Sequence, residues 1–140
     1  MEPVLSHIEI TVGDMRKAIP FYDKFLPLLG YKLDQRSEAV LPAHDKHVVS
    51  YEHPRLGIAI TSPRMELANE RVQRRRPGAL HHLAFKVDSR AEVDRLYTQL
   101  LEIGAVVDIP PREFPEYSPQ GYYALFVRDP DGLRYEIVTY

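Results

Sequence analysis

Cysteine is absent from this chain of 140 residues, and its absence removes three kinds of chemistry. Disulfide bonds, thiolate nucleophiles and cysteine-type zinc sites are all excluded. The sequence also lacks any apolar run approaching the ~20 residues that span a membrane. Its N-terminus does not have the basic-then-apolar layout of a signal peptide. We therefore expect no membrane partner and a cytoplasmic location.

A large excess of positive charge is also missing. The formal net charge is −2 at pH 7, which gives no reason to expect nucleic acid as a partner. The basic cluster of Arg71 and residues 74–76 has Glu66 and Glu70 nearby, and such runs are usually solvated helix ends. With 44% hydrophobic and 27% charged residues, the composition is that of a globular protein with one core or two small modules.

Residues 122–140 (YYALFVRDPDGLRYEIVTY) predict a β-hairpin. Two runs of alternating apolar residues flank the DPDG sequence at 129–132, whose proline suits a tight turn and whose glycine supplies a positive φ. The second run places Glu136 on one face together with Arg134 and Val138. A carboxylate in the middle of an apolar strand is costly to bury unless it is paired or binds a metal.

The sequence contains a hidden repeat. A shift of 75 residues superposes the strand that begins at His7 (HIEITV) on the strand that begins at His82 (HLAFKV), and the apolar helix stripes that follow also match. The closing strands match at a shift of 77, which sets Ala59 opposite Glu136. Because one such module cannot cover its own sheet, we predict an α+β fold of two tandem βαβββ modules. The modules are expected to form a curved mixed sheet around a shared concave site.

The predicted modules span residues 1–62 and 80–140, joined by a charged connector at 63–79, within one structural domain. Asp14 and Ser89 are the predicted helix N-caps. The predicted strands cover residues 4–12, 31–41, 46–53, 56–62, 81–87, 105–109, 122–128 and 133–139.

Proline and glycine mark further boundaries. Pro20 is awkward inside a helix, so we predict an irregular first turn with the regular helix starting near that residue. Gly30 and Gly104 are predicted to end the two helices. Residues 110–121 read as a proline-rich loop that borders the site.

Three side chains fall on the polar side of the predicted sheets. His7 and His82 occupy equivalent positions on the first strand of each module, and Glu136 lies on the last strand of the second module. Two imidazoles and one carboxylate form a set that holds a divalent metal such as Fe, Mn, Ni or Zn while leaving coordination positions open. We therefore predict that His7, His82 and Glu136 converge as metal ligands. His81 is predicted to point away and receives no role.

The elements HIEITVGDM, FYDKFLPLLGY, HHLAFKV and YALFVRDPDGLRYEIV together resemble the vicinal oxygen chelate superfamily. That group includes glyoxalase I, fosfomycin-resistance thiol transferases, extradiol dioxygenases and bleomycin-binding proteins. The family's metal ligands lie on the first and last strands of each module, which the resemblance maps onto His7, His82 and Glu136. The fourth family position falls on Ala59, where glyoxalase I has an acidic ligand. This difference counts against a true glyoxalase I and implies a three-ligand site.

The resemblance implies a divalent-metal enzyme that acts on a small oxygen-chelating substrate by lyase or isomerase chemistry. Glu9 or Glu136 is the expected proton-transfer base. Contacts to the substrate are predicted for Lys86, Arg134, Tyr122 and Tyr117. Two alternatives stay open at this point, an Fe(II) extradiol-type dioxygenase and a metal-free binding or resistance protein of the bleomycin-binding type. A homodimer is expected in each case, because family members usually pair and open sheets have edges that need cover.

Overall fold

The chain divides into two units, Met1–Arg71 and Val72–Tyr140, in a computed structural model that describes residues 1–118 and 121–140. The division falls inside the segment that the sequence assigns to the connector, 63–79. Each unit contains one helix and one four-stranded sheet.

The first unit has the order strand, helix, strand, strand, strand. Its sheet runs β1-β4-β3-β2, with β1 parallel to β4 and the other neighbours antiparallel. The elements are β1 His7–Thr11, α1 Met15–Leu28, β2 Ser37–Leu41, β3 Lys46–Tyr51 and β4 Gly57–Thr61.

The second unit repeats this topology. Its sheet runs β5-β8-β7-β6, again with the first and last strands parallel and the other neighbours antiparallel. The elements are β5 His82–Lys86, α2 Arg90–Glu102, β6 Val106–Glu113, β7 Tyr123–Arg128 and β8 Arg134–Thr139. The predicted α+β fold of two similar βαβββ modules is therefore confirmed.

Both helices begin where the sequence places their caps. The Asp14 side chain accepts a hydrogen bond from the Arg16 backbone N–H at 2.9 Å, and the Ser89 hydroxyl accepts one from the Glu92 N–H at 3.2 Å. These side chains satisfy backbone donors that the first turn leaves without an intrahelical partner. Gly30 follows the end of α1 with a φ of 91°, a conformation that glycine adopts at little cost.

The prediction of an irregular first turn before Pro20 is wrong, because α1 is regular from Met15 and contains both Pro20 and Pro27. Pro20 is exposed, so the carbonyl that loses its helical partner lies on the water side. The opposite side of α1 is anchored by buried Met15, Ala18, Tyr22, Phe25 and Leu26.

Two further boundaries differ from the predictions. The predicted strand at 31–41 begins only at Ser37, since a 3-10 turn occupies Leu33–Gln35. Strand β6 runs on to Glu113, through the start of the predicted proline-rich loop at 110–121. Prolines are tolerated there because β6 is an edge strand, and its pairing with β7 has two register shifts. Residues 119 and 120 of that loop lie outside the described residues.

The predicted hairpin at the end of the chain is confirmed. Gly132 has a φ of 88° and donates its N–H to the Asp129 carbonyl at 3.0 Å. The Asp129 carboxylate accepts from the backbone N–H groups of Asp131 and Leu133 at 2.9 and 2.8 Å. This turn fixes the register of β7 against β8 and thereby the position of Glu136.

Each helix packs against its own sheet. In the second unit, the other sheet face carries polar residues together with a hydrophobic cluster that includes Phe126 and Val138. In the second unit, Leu96, Leu100, Leu125 and Ile137 are fully buried. Because side chains alternate along a strand, Arg134 and Glu136 lie on the face away from Ile137. In the described part of the chain, the helices are too short or too polar to cross a membrane.

Candidate functional site

Strand pairing brings several polar side chains together on one face of the sheet in the second unit. In the parallel pair of β5 and β8, His82 lies opposite Arg134 and Ala84 lies opposite Glu136. In the antiparallel pair of β7 and β8, Phe126 lies opposite Glu136. An imidazole, a guanidinium and a carboxylate therefore share this face with an aromatic ring.

The Glu136 carboxylate is deeply buried and has two partners. The residue is 1% exposed. Its Oε1 accepts a hydrogen bond from the Tyr122 hydroxyl at 2.6 Å, and its Oε2 lies 3.2 Å from His82 Nε2. Since an unpaired buried carboxylate is very costly, these two contacts explain how the strand accommodates it.

Tyr122 is the donor in its bond to Glu136. Burial of the phenol, and next the hydrogen bond to the Glu136 carboxylate, raise the pKa of Tyr122 well above its ordinary value. The hydroxyl therefore keeps its proton at neutral pH, and the carboxylate accepts it. The sequence predicts Tyr122 as a substrate contact. In the structure, its hydroxyl donates a hydrogen bond to Glu136, which is itself a predicted metal ligand.

The spacing of His82 and Glu136 suits two neighbouring ligands of one ion. Metal bonds of ~2.1 Å at a right angle place two ligand atoms about 3 Å apart, and the observed distance from Nε2 to Oε2 is 3.2 Å. The nitrogen and oxygen donors also suit Zn, Mn or Fe. The residues present therefore fit part of a divalent-metal site.

Two side chains alone do not complete such a site. Within residues 1–118 and 121–140, no three or more His, Asp or Glu side chains are grouped so that they could hold a metal ion. His82 and Glu136 belong to the second unit, whereas His7 belongs to the first. The convergence of His7, His82 and Glu136 stays a prediction.

His81 lies beside the predicted ligand. Its Nδ1 is 2.7 Å from His82 Nδ1, so one ring donates and the other accepts. Imidazoles that bind metals usually form a hydrogen bond through their second nitrogen, which fixes ring orientation. Strand alternation predicts that His81 points away and has no role, because alternation does not show that neighbouring side chains can meet at the start of a strand.

Arg134 is held by a residue that no sequence-based prediction includes. The Asp108 carboxylate on β6 accepts hydrogen bonds from both Arg128 and Arg134. The Arg134 guanidinium also lies 5.1 Å from the Phe126 ring centroid. The signal for Asp108 was a lone carboxylate in the apolar run VVDI, which implies a buried partner.

The other predicted substrate contacts belong to an aromatic group around Tyr122. Tyr140 stacks on Tyr122 with centroids 5.4 Å apart, and the Lys86 ammonium lies 3.9 Å from the Tyr140 centroid. Tyr117 meets Tyr122 edge-on at 5.5 Å and stacks on Phe114 at 5.2 Å. Lys86, Tyr117 and Tyr122 are thus joined through ring contacts within one unit.

The first unit carries a cavity of about 320 Å³ on the polar face of its sheet. Glu9 forms an ion pair there with Lys46, and Ser6 Oγ lies 3.3 Å from His7 Nδ1. A Cβ at Gly57 would lie 3.2 Å from the His7 Cβ, so glycine permits this close approach. The lining residues are Ser6, His7, Glu9, Val48, Ser50, Tyr51, Glu52, Gly57, Ile58 and Ala59.

The two units differ in which strand carries the central carboxylate. In the first unit, Glu9 on β1 lies opposite Ala59 on β4. In the second unit, Ala84 on β5 lies opposite Glu136 on β8. Each repeat therefore has one carboxylate in the same cross-strand pair, but on opposite members of that pair.

Comparison with known proteins identifies one superfamily. The model of the Glyoxalase/Bleomycin resistance protein/Dioxygenase superfamily matches residues 4–137. The uncharacterized protein YqjT of Bacillus subtilis (strain 168) is 31% identical over 135 residues, covering 96% of this chain and 98% of that protein.

Solved structures agree with this result. A glyoxalase-like protein from Bacillus halodurans is similar, with a TM-score of 0.74 and 28% identity over 97% of this chain and 95% of its own. A glyoxylase/bleomycin resistance protein/dioxygenase domain from Frankia sp. EAN1pec has a TM-score of 0.73 and 26% identity, covering 99% and 98% of the two chains.

Proposed function

Because the chain belongs to the Glyoxalase/Bleomycin resistance protein/Dioxygenase superfamily, we propose that it is a divalent-metal-dependent enzyme. The proposed substrate is a small oxygen-chelating molecule, and the proposed chemistry is that of a lyase or isomerase. The observation that supports this proposal is the buried Glu136 carboxylate, whose Oε2 lies 3.2 Å from His82 Nε2. A bound divalent metal would supply Lewis-acid stabilisation of negative charge on the substrate.

His82 and Glu136 are the residues proposed to hold the metal, with His7 as the third ligand predicted from the sequence. Tyr122 keeps one Glu136 oxygen occupied, which leaves the other facing His82. His81 holds the imidazole of His82 through Nδ1. These contacts fix the two proposed ligands before any ion is bound.

Glu9 is the proposed base. It lines the cavity of about 320 Å³, a size at the lower end of ordinary ligand pockets, which run from about 300 to 1,000 Å³. Its carboxylate is partly exposed and is held in place by the ion pair with Lys46. A substrate proton within reach of this oxygen would be accepted there.

Arg134 is the proposed contact for an anionic group of the substrate. Arg134 and Arg128 share the single carboxylate of Asp108. Two guanidinium groups on one carboxylate leave one positive charge in excess, which favours a negatively charged neighbour.

A second candidate function is a metal-free small-molecule-binding protein. One observation favours it, because both oxygens of Glu136 already have partners within the protein. A carboxylate satisfied in this way needs no ion to be stable in a buried position. The two candidates differ in whether the protein binds a metal.

Substitution Glu136→Gln tests the metal site. Without metal, the variant is expected to melt at the temperature of the wild type or slightly higher, because the amide keeps the shape and removes a buried charge. With Mn²⁺ at about 100 times its Kd, only the wild type is expected to gain stability, by about 2.7 kcal/mol. Thermal melts and calorimetric titration with Mn²⁺ and Zn²⁺ measure both effects.

The matched control is Glu113→Gln, which changes an exposed carboxylate paired with Arg90 in the same unit. This variant should bind metal as the wild type does. Equal metal-induced shifts in wild type and Glu136→Gln would remove Glu136 from the metal site. A wild type that binds neither Mn²⁺ nor Zn²⁺ would favour the binding-protein function.

A further inference from the structure

We propose that Tyr122 is a positioning residue that orients the Glu136 carboxylate so that Oε2 faces His82 Nε2. The inference rests on the proposed function in taking His82 and Glu136 as metal ligands. The Tyr122 hydroxyl donates to Oε1 at 2.6 Å, while Oε2 is the oxygen 3.2 Å from the imidazole.

A glutamate carboxylate has a broad and nearly two-fold preference for rotation about its last side-chain bond. Its two oxygens project in different directions from one carbon. A strong hydrogen bond to Oε1 therefore restricts the direction in which Oε2 can point. Loss of that bond would allow the carboxylate of Glu136 to rotate away from His82.

The ring of Tyr122 is itself held on three sides. It stacks on Tyr140 at 5.4 Å with an interplanar angle of 8°, and it meets Tyr117 and Phe114 edge-on at 5.5 and 6.3 Å. A backbone hydrogen bond also holds Tyr122 beside Phe114, because the Phe114 N–H donates to the Tyr122 carbonyl at 2.8 Å. Aromatic pairs of this kind stabilise by about 0.5–1.5 kcal/mol beyond their buried area.

These contacts give the hydroxyl a fixed position. A tyrosine side chain has two rotatable bonds before its ring, and neighbours on three sides restrict both. The most exposed residue in this group is Tyr140, at 65%, followed by Tyr117, at 62%, whereas Phe114 is 1% exposed and anchors the cluster. The position of Oε2 therefore follows from the aromatic packing as well as from the strand register.

The adjacent residue offers a matched control. The Tyr123 hydroxyl donates to Asp94 Oδ1 at 2.7 Å, which is a similar phenol–carboxylate bond between β7 and α2. The substitutions Tyr122→Phe and Tyr123→Phe remove the same atom from neighbouring positions. Only the first changes a bond to a proposed metal ligand.

The first measurement is the affinity for Mn²⁺ by calorimetry. Removal of a group that orients a metal ligand typically lowers metal affinity about 10–100-fold. We expect a loss of this size for Tyr122→Phe and less than about a twofold change for Tyr123→Phe. Tyr140→Leu keeps the Tyr122 hydroxyl but removes the ring that stacks on Tyr122. It is expected to lower the affinity for Mn²⁺ by a smaller factor than Tyr122→Phe.

The second measurement needs no metal. Crystal structures of metal-free wild type and Tyr122→Phe give the distance from Glu136 Oε2 to His82 Nε2, which is expected to lengthen from 3.2 Å in the variant. Thermal melts serve as the control that each variant is folded.

The possible results separate the inference from the proposed function. Unchanged Mn²⁺ affinity together with an unchanged carboxylate in Tyr122→Phe would overturn the positioning role. A wild type without Mn²⁺ affinity would overturn the proposed metal site, while a rotated carboxylate in metal-free Tyr122→Phe would still support the positioning role.

Discussion

Asp108 accepts hydrogen bonds from two guanidinium groups, and its side chain is only 14% exposed. Burial raises the pKa of this carboxyl, but the hydrogen bonds from Arg128 and Arg134 outweigh burial and hold the pKa below its ordinary value. A carboxyl whose pKa is lowered by folding stabilises the native state above its unfolded pKa of ~3.9. This stabilisation is lost as the pH falls through the lower folded value.

The substitution Asp108→Asn should therefore destabilise the protein in a pH-dependent way. At pH 7 we expect a loss of about 3 kcal/mol in the free energy of unfolding, because two guanidinium groups lose the charged carboxylate that they share. The difference from wild type should shrink as the pH falls below ~3.9, where protonation weakens the same contacts in the wild type. Urea unfolding at pH 7 and pH 3 measures the difference.

Glu116→Gln is the control for this prediction, since Glu116 forms an exposed ion pair with Arg112. Exposed pairs contribute about 0–1 kcal/mol. A difference between Asp108→Asn and wild type that stays constant from pH 7 to pH 3 would contradict the assigned role of the charge.

At the scale of elements, α1 is a helix that contains two prolines, Pro20 and Pro27. Pro20 has no N–H to donate to the carbonyl of Arg16, four residues earlier. The helix persists because its buried side, which includes Tyr22 and Phe25, packs into the core of the first unit. Tertiary packing thus outweighs the local preference that predicted a break.

Replacing Pro20 with alanine is expected to stabilise the protein. An interior proline is less favourable than alanine by ~3 kcal/mol, and the greater freedom of the unfolded alanine chain offsets about 1 kcal/mol of this. The net gain of ~2 kcal/mol should raise Tm by about 5 °C. Differential scanning calorimetry measures it, with Pro3→Ala outside the helix as the control. A lower Tm for Pro20→Ala would show that the proline ring contributes packing that alanine cannot replace.

Local patterns predicted the elements better than the contacts between them. The caps at Asp14 and Ser89 and the turn at 129–132 were predictable because each depends on neighbouring residues in the chain. The hydrogen bond from Tyr122 to Glu136 was not, because it depends on how the residues before β7 return to the sheet. The role of Asp108 requires the register of three strands, which alternation alone does not fix.

At the scale of the whole molecule, the repeat was visible in the sequence because both modules keep the same apolar periodicity. The two sheets accordingly have the same strand order. The convergence of His7 with His82 and Glu136 depends on how the two units are arranged, and no periodicity within one unit encodes that arrangement. It therefore stays a prediction.

A homodimer is the prediction at this scale. Strand β2 is an edge strand whose residues are all exposed, and Val40 on it is 68% exposed. Edges of this kind tend to pair with another chain unless they are protected. Light scattering at micromolar concentration should give twice the chain mass of 16.2 kDa. The variant Val40→Lys, which places a charge on this edge, should shift the mass towards that of one chain, and a monomeric wild type would contradict the prediction.

The different strand positions of the central carboxylate have a consequence for how the two repeats are compared. Compared position by position, Glu9 against Ala84 and Ala59 against Glu136 look like two unrelated losses. In the sheets they are one acidic group per repeat, held in the same cross-strand pair. Two substitutions, one on each strand of the pair, would therefore move the charge to the neighbouring strand without a change of register. In a comparison of the two repeats, Glu9 and Glu136 are equivalent as members of one cross-strand pair, although they do not occupy aligned positions.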